Sequence, residues 1–255
     1  MSQTRSASAR TTSLRTDFGT SDVYNPPAAS VVRVCDNTTL AMAAFMRSTN
    51  ASSYLRPIKI AIRALRFDDG SAWDLAGTQV KLGGTGNDTL TGASGNDVIF
   101  SDAGNDTINA GAGNDILSGG VGTDALNGGL GDDIYLFRRG EGQDILSDTG
   151  GQDRLLLGAD IVPDQVWLSH TGSDLVIDLV GGSDRVTIKN WYIDPANQVE
   201  TLASRDGWSL DHTQVDQLVA AMAAFAPPSG TATALPTDVA AAVAPVIAAN
   251  WQHAA

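Results

Sequence analysis

A chain of 255 residues with 29 acidic and 16 basic side chains has a formal charge of -13, which sets it against nucleic acid and anionic membrane surfaces and makes cations its natural partners. Its one cysteine, Cys35, excludes a disulfide framework within the chain. No apolar run approaches the ~18 residues of a membrane-spanning helix, and the N-terminal arginines precede no apolar h-region, so no Sec-type signal peptide is visible.

The charge is sharply divided. Residues 1–66 hold nine of the sixteen Lys and Arg against only Asp17, Asp22 and Asp36, so the remainder carries -19, that is, -13 less +6. Residues 1–61 are rich in Ser, Thr, Ala and Arg with weak periodicity, and are expected to be poorly ordered, with a short helix around Leu40–Met46. Residues 62–82 recur later in the chain. Ile62-Arg-Ala-Leu-Arg-Phe-Asp-Asp69-Gly70 parallels Val199-Glu-Thr-Leu-Ala-Ser-Arg-Asp206-Gly207, Trp73 is echoed by Trp208, and Thr78-Gln-Val80 by Thr213-Gln-Val215. Each copy reads as a strand, an Asp-Gly turn, a Trp and a helix start. The first copy is expected to be the tail of a preceding module in a longer array.

Residues 83–136 contain more than half of the 27 glycines and no Lys or Arg. Aspartate recurs every nine residues, at Asp88, Asp97, Asp106, Asp115, Asp124 and Asp133. Two positions before each stands a glycine: Gly86, Gly95, Gly104, Gly113, Gly122 and Gly131. Two positions after each stands Leu90, Ile99, Ile108, Leu117, Leu126 or Tyr135. The units are Gly83–Thr91, Gly92–Phe100, Ser101–Asn109, Ala110–Ser118, Gly119–Asn127 and Gly128–Leu136. Glycines allow the first six positions of a unit to turn tightly and to direct carbonyls inward. The last three form a short strand whose middle residue enters the core.

Two such units make one coil of eighteen residues, so each turn stacks on its second neighbour at about the 4.8 Å spacing of adjacent strands. That places Asp88, Asp106 and Asp124 in one column and Asp97, Asp115 and Asp133 in the other. Carboxylates stacked so closely repel one another unless a cation lies between them. Ca²⁺ takes six to eight oxygens at roughly 2.3–2.6 Å, whereas Mg²⁺ demands shorter bonds and retains its water. The expected ligands are the six aspartates and the inward carbonyls, drawn from Gly84, Gly86, Gly95, Gly104, Gly111, Gly113, Gly120, Gly122, Gly129 and Gly131. Pairing each turn with its second neighbour among six units gives about four Ca²⁺ sites.

The units are not identical. Ser101-Asp102 and Ala110 replace opening glycines and Ala93 a second glycine; Asp102 reads as a solvated charge rather than a ligand. After Tyr135 the pattern decays. Asp144 and Asp153 keep a nine-residue spacing after a two-residue insertion, and are expected to cap the repeats rather than to bind an ion.

Residues 137–210 read as a capping, β-rich segment. Strands are expected at Gln165–Ser169, Asp174–Leu179 and Arg185–Asn190, with Gly181-Gly182-Ser183-Asp184 as a hairpin turn. The two-residue alternation is that of a half-buried antiparallel sheet, with Trp167, Trp191 and Tyr192 on its covered face. Residues 211–255 read as two helices. Asp211 caps the first in a capping box with Gln214; its apolar stripe is Val215, Leu218, Val219, Met222 and Phe225, and Pro227-Pro228 ends it. The second starts at Thr237, with Val239, Val243, Ile247 and Trp251 in steps of four and a kink expected at Pro245.

The nonapeptide G-G-x-G-x-D-x-U-x resembles the calcium-binding repeat of the haemolysin-type, or RTX, family over residues 83–136. Gly140-Glu-Gly-Gln-Asp144-Ile, Val166-Trp-Leu-Ser169, Asp174-Leu-Val-Ile177 and Val186-Thr-Ile-Lys-Asn-Trp191 are similar to the related domain that follows such repeats in bacterial haemolysin-type proteins. The resemblance implies a mainly β protein: a parallel β-roll (RTX solenoid), then a small antiparallel β segment and two C-terminal helices. It also implies export through a type I exporter, with residues 211–255 as a possible secretion signal, hence a secreted or cell-surface location.

No catalytic arrangement stands beside the repeat. His170, His212 and His253 are scattered and form no H-E-x-x-H motif. There is no G-x-S-x-G elbow and no phosphate loop with its lysine, and Cys35 has no motif around it. Asp68-Asp69 and Asp132-Asp133 lie in turns. The expected function is calcium binding by repeats that fold around the ion in a secreted, non-enzymatic protein. The alternatives are a non-catalytic C-terminal part of a larger secreted toxin or hydrolase, and a surface or adhesion protein stiffened by calcium.

Overall fold

The computed structural model describes residues 78–204, 206–227 and 234–253, together with the backbone of strands 30–34, 62–67 and 72–74. The chain divides into two units, Met1–Gly77 and Thr78–Ala255. In the first, β1 (Ser30–Val34) runs parallel to β2 (Ile62–Phe67), which pairs antiparallel with β3 (Ala72–Asp74). The rest of residues 1–61, including the helix expected at Leu40–Met46 and Cys35, lies outside the described residues, as do Asp68 and Asp69.

The second unit is a coil of alternating strands, a β-solenoid. One sheet takes β4 (Gln79–Gly84), β6 (Asp97–Asp102), β8 (Ile116–Ser118) and β10 (Ile134–Phe137). The other takes β5 (Thr89–Thr91), β7 (Thr107–Ala112) and β9 (Ala125–Leu130). Each strand pairs in parallel with its second neighbour, Leu90 opposite Ile108 and Ile99 opposite Leu117, so one coil is eighteen residues as the repeat requires. The eighth position of every unit therefore stacks into an apolar ladder. Ile99, Ile108, Leu117, Leu126 and Tyr135 are all buried, and Leu90 at the open end is partly so.

The ladders do not stop at Leu136. In the first sheet β12 (Arg154–Leu157) pairs in parallel with β10 and β16 (Thr201–Ser204) with β12; in the second, β11 (Gln143–Ser147) pairs with β9 and β15 (Arg185–Ile188) with β11. Leu146, Leu155 and Leu202 carry the apolar ladders forward. The expected antiparallel segment is present as β13 (Val166–Thr171), β14 (Asp174–Leu179) and β15, joined in register and added to the end of the second sheet. Trp167 and Trp191 are fully buried beneath it and Tyr192 packs against the same core.

The first sheet closes with β17 (Trp208–Asp211), antiparallel to β16, and the short β18 (Gln252–His253). Thus β12, β16 and β17 repeat the order of β1, β2 and β3: a parallel neighbour followed by an antiparallel one. The likeness ends after the hairpin. Thr213-Gln-Val215 opens a helix, but the helix start expected at Thr78-Gln-Val80 is instead the first part of β4, where Val80 and Leu82 lie in register with Val98 and Phe100. A stack of turns needs a first strand, and pairing with β6 overrides the local helix signal.

Helix α1 (His212–Met222) begins as expected at Asp211, whose carboxylate accepts from the Thr213 amide at 2.9 Å. The capping box does not form: the Gln214 Oε1 is buried without a hydrogen-bond partner. The helix also ends at Met222, before the prolines. Val215, Leu218 and Met222 are buried, with Val219 and Phe225 packed beside them. Helix α2 (Thr237–Asn250) starts where expected and buries Val243 and Ile247. Among the described residues, no helix is long and apolar enough to cross a membrane.

Candidate metal centre

The turns between strands bring the aspartates into the two expected columns, and each rung is tied to the next. The Asp88 amide donates to Asp106 Oδ1 at 2.7 Å, that of Asp106 to Asp124 Oδ1 at 2.7 Å, and that of Asp124 to Asp144 Oδ1 at 3.1 Å. In the other column the Asp97 amide donates to Asp115 at 2.7 Å, Asp115 to Asp133 at 2.8 Å, Asp133 to Asp153 at 2.8 Å, and Asp153 to Glu200 Oε2 at 2.6 Å. Asp144 and Asp153, expected to be caps, are full rungs in these columns. Glu200 is a further member that its spacing did not reveal.

The glycines have a steric purpose that the geometry makes explicit. A Cβ on Gly122 would lie 1.7 Å from the Gly104 carbonyl oxygen, and one on Gly120 1.8 Å from that of Asp102. Gly129 over Gly111 and Gly131 over Gly113 are as close. Turns therefore nest backbone on backbone. Gly84, Gly86 and Gly95 lie beneath the first rungs of the same stacks, and Gly104, Gly111 and Gly113 adopt positive φ of 139°, 114° and 123°. Asp102, the exception, holds φ 76° with an L side chain; it is only partly buried and joins neither column. Ser101, at the first position of its unit, is buried and donates to the Gly119 carbonyl at 2.7 Å.

A second ladder, on asparagines that share the nine-residue spacing, runs beside the first. The Oδ1 of Asn87, Asn96, Asn105 and Asn114 accept from the amides of Asn105, Asn114, Thr123 and Asp132 one coil later, at 2.8–3.1 Å. These residues immediately precede the aspartates, so the outer edge of each turn is pinned by a neutral amide and the inner edge by a carboxylate.

One oxygen of each inner carboxylate is left over. Asp97 Oδ1 and the Oδ2 atoms of Asp106, Asp115, Asp124, Asp133, Asp144 and Asp153 are buried without a hydrogen-bond partner. Among the described residues the ion pairs all fall beyond residue 136 and touch none of these aspartates. An ionised carboxylate buried alone costs several kcal/mol, and a run of them outweighs the ~5–15 kcal/mol by which a domain is folded. Burial pushes Asp115 and Asp124 up to about 6, Asp133 to about 7, and Asp144 and Asp153 to about 8; the neighbouring rung's charge adds to this and the donated amide opposes it. At neutral pH protons answer only part of this charge. A hard divalent cation answers the rest, because unpaired carboxylate oxygens beside backbone carbonyls are the donor set such ions take.

The histidines do not converge: His170 lies on Tyr192, His212 beside Asp211 and His253 on the edge of Trp208. Residues 82–108 and 100–135 match the family model of the RTX calcium-binding nonapeptide repeat (4 copies), and residues 174–214 match that of the haemolysin-type calcium binding protein related domain. Both matched families are calcium-binding rather than catalytic.

Proposed function

We infer, from a chain that carries RTX calcium-binding nonapeptide repeats and then the haemolysin-type related domain, that it folds around Ca²⁺ outside the cell. The observation that supports this reading is the row of buried carboxylate oxygens without partners. Asp88, Asp97, Asp106, Asp115, Asp124 and Asp133 would supply charge to the ion, and carbonyls of the nested glycines the neutral ligands. Pairing turns of the six matched units gives about four ions. The ion's contribution is electrostatic: it cancels repulsion along each column and so stabilises a stack with a thin apolar core. Glycine-rich turns lose much conformational entropy on folding, and a ligand that binds only the folded state offsets that loss by mass action.

Extracellular calcium modules commonly bind with a Kd of about 10⁻⁴–10⁻³ M. At cytosolic calcium the repeats would be unfolded and at extracellular calcium folded, which suits passage through a type I exporter followed by folding outside. Residues 62–74 fit the tail of a preceding module by the shared strand order noted above, whereas 79–82 belong to the roll as part of β4. That favours a calcium-stabilised C-terminal part of a longer secreted protein over a free-standing binder; a calcium-stiffened adhesive spacer is the second reading. Calorimetric titration of the full chain with Ca²⁺ tests the central claim. Heat of binding at millimolar calcium, with a gain of β signal in circular dichroism, is expected. Absence of uptake at tens of millimolar would refute it.

A further inference from the structure

The matched repeats end at residue 135, yet the turn at 148–153 stacks on the turn at 128–133 in the same register. The Thr149 amide donates to the Gly129 carbonyl at 3.2 Å and the Gly131 amide to the Gly150 carbonyl at 3.1 Å. This register places Asp148 over Gly128, a position where the earlier turns have glycine, serine or alanine. A Cβ on Gly128 would meet the Asp148 Oδ2 at 2.8 Å. The substitution inserts a third carboxylate between two rungs of the column.

Asp133, Asp148 and Asp153 each offer an oxygen within 4.8 Å of the others, and all three residues are buried. Asp148 is fixed from both sides: its Oδ1 accepts from the amides of Thr149 at 2.6 Å and Gly150 at 2.9 Å, and its Oδ2 from the Tyr135 hydroxyl. The Oδ2 atoms of Asp133 and Asp153 have no partner. No Lys or Arg among the described residues pairs with any of the three.

The corresponding end of the other column is closed differently. There Glu141 is bonded to Arg138 through both its carboxylate oxygens, and Asp184 spends its oxygens on the amides of Gly140 and Gly142. Arg138 and backbone amides hold the added carboxylates at that end, where Asp144 Oδ2 stays unpartnered, whereas at Asp153 three carboxyl groups face one another with no basic side chain among them.

We propose that Asp133, Asp148 and Asp153 form an additional Ca²⁺ site beyond the nonapeptide repeats, closing the roll with three carboxylates where the repeat sites use fewer. It rests on the reading of the columns as calcium-binding. With three anionic ligands it is the most highly charged candidate site among the described residues, so it fills at lower calcium than the repeats and clamps the 128–133 turn to the 148–153 turn.

Counting bound ions by native mass spectrometry of the full chain, at the calcium concentration that just saturates it, tests the proposal. Asp148→Gly restores the residue type of the equivalent position in the neighbouring turn, and Asp148→Asn keeps the hydrogen-bond acceptor while removing the charge. The folded variants are expected to carry one ion fewer, with calorimetry showing loss of the tightest event by tenfold or more. If Asp148→Gly does not fold, Asp148→Asn decides. A folded variant that keeps the full count and the tightest event overturns this site while leaving the repeat sites standing. A chain with no bound calcium at all overturns both.

Discussion

The stack at 83–136 and the sheet that follows it share strands and register but are held together by different forces. In the repeats the core is a narrow apolar ladder built on the eighth position of each unit, and the inner wall is a file of carboxylates with unpartnered oxygens. In the later segment the core thickens, with Trp167, Trp191, Leu175, Ile177 and Val186 fully buried, and its charges are paired, Arg185 with Asp178 and Lys189 with Asp174. On the reading proposed above, the first region is stabilised by an ion acting on its own acidity, the second by removal of apolar surface from water. One continuous sheet can therefore contain a segment conditional on solution chemistry and a segment that is not.

Chelation should separate the two most widely. In excess EDTA, amides of β5 to β9 are expected to exchange with solvent as in an unfolded chain, while β13 and β14 keep protection; equal loss in both would break the distinction. Trp167→Ala should act in the opposite sense. It is expected to cost about 3–5 kcal/mol in denaturant unfolding of the later segment at saturating calcium, with little change in calcium affinity of the first turns.

Asp124→Asn sharpens the comparison because its effect changes sign with the ion. Removing one charge from the column should weaken calcium binding tenfold or more, about 1.4 kcal/mol, yet stabilise the calcium-free fold; calorimetry and EDTA melts read the two halves.

Acid should imitate that substitution on the whole column. Asp115, Asp124, Asp133, Asp144 and Asp153 hold values of about 6 to 8 against 3.8. Carboxyl groups raised on folding favour the folded state at low pH, fully below the unfolded value and no longer once pH has risen through the folded ones. The calcium-free chain is thus expected to show more β signal at pH 5.5 than at pH 8.5, and calcium affinity to be lower at pH 5.5 than at pH 8.5. Below about pH 4 the trend reverses, since Asp174 and Asp211 are held below their ordinary value by Lys189 and Thr213. A smaller effect attends Asn105→Ala, which leaves the Thr123 amide without its acceptor in an exposed ladder. A loss of about 0.5–1.5 kcal/mol in calcium-saturated melts is expected.

The columns were legible because a strict period of nine converts position in sequence directly into height in the stack. The place of Asp144 and Asp153 in the columns was less legible for the same reason. Two inserted residues interrupt the period, but the extra length is absorbed in the turn while the rungs still align. Pairing of β15 with β11 and of β16 with β12 was hidden, since more than forty residues and a hairpin intervene and no repeat links the partners. Alternation alone identified β13 to β15 as antiparallel. It could not say that they extend the existing sheet. Glu200 looked like any surface acid, because only the fold carries it over Asp153.

The columns also have a polarity. Every rung but Asp144 hands its amide to a carboxylate later in the chain, so each coil is gripped from its C-terminal side, and the grip ends at Asp144 on one column and at Glu200 on the other. At the opposite extreme Asp88, among the described residues, accepts only from the Gly84 amide of its own turn. Unzipping therefore has a preferred starting point at the N-terminal coil, and winding a preferred seed at the far end. A chain emerging C-terminus first into calcium would present its seed before the coils that grow from it.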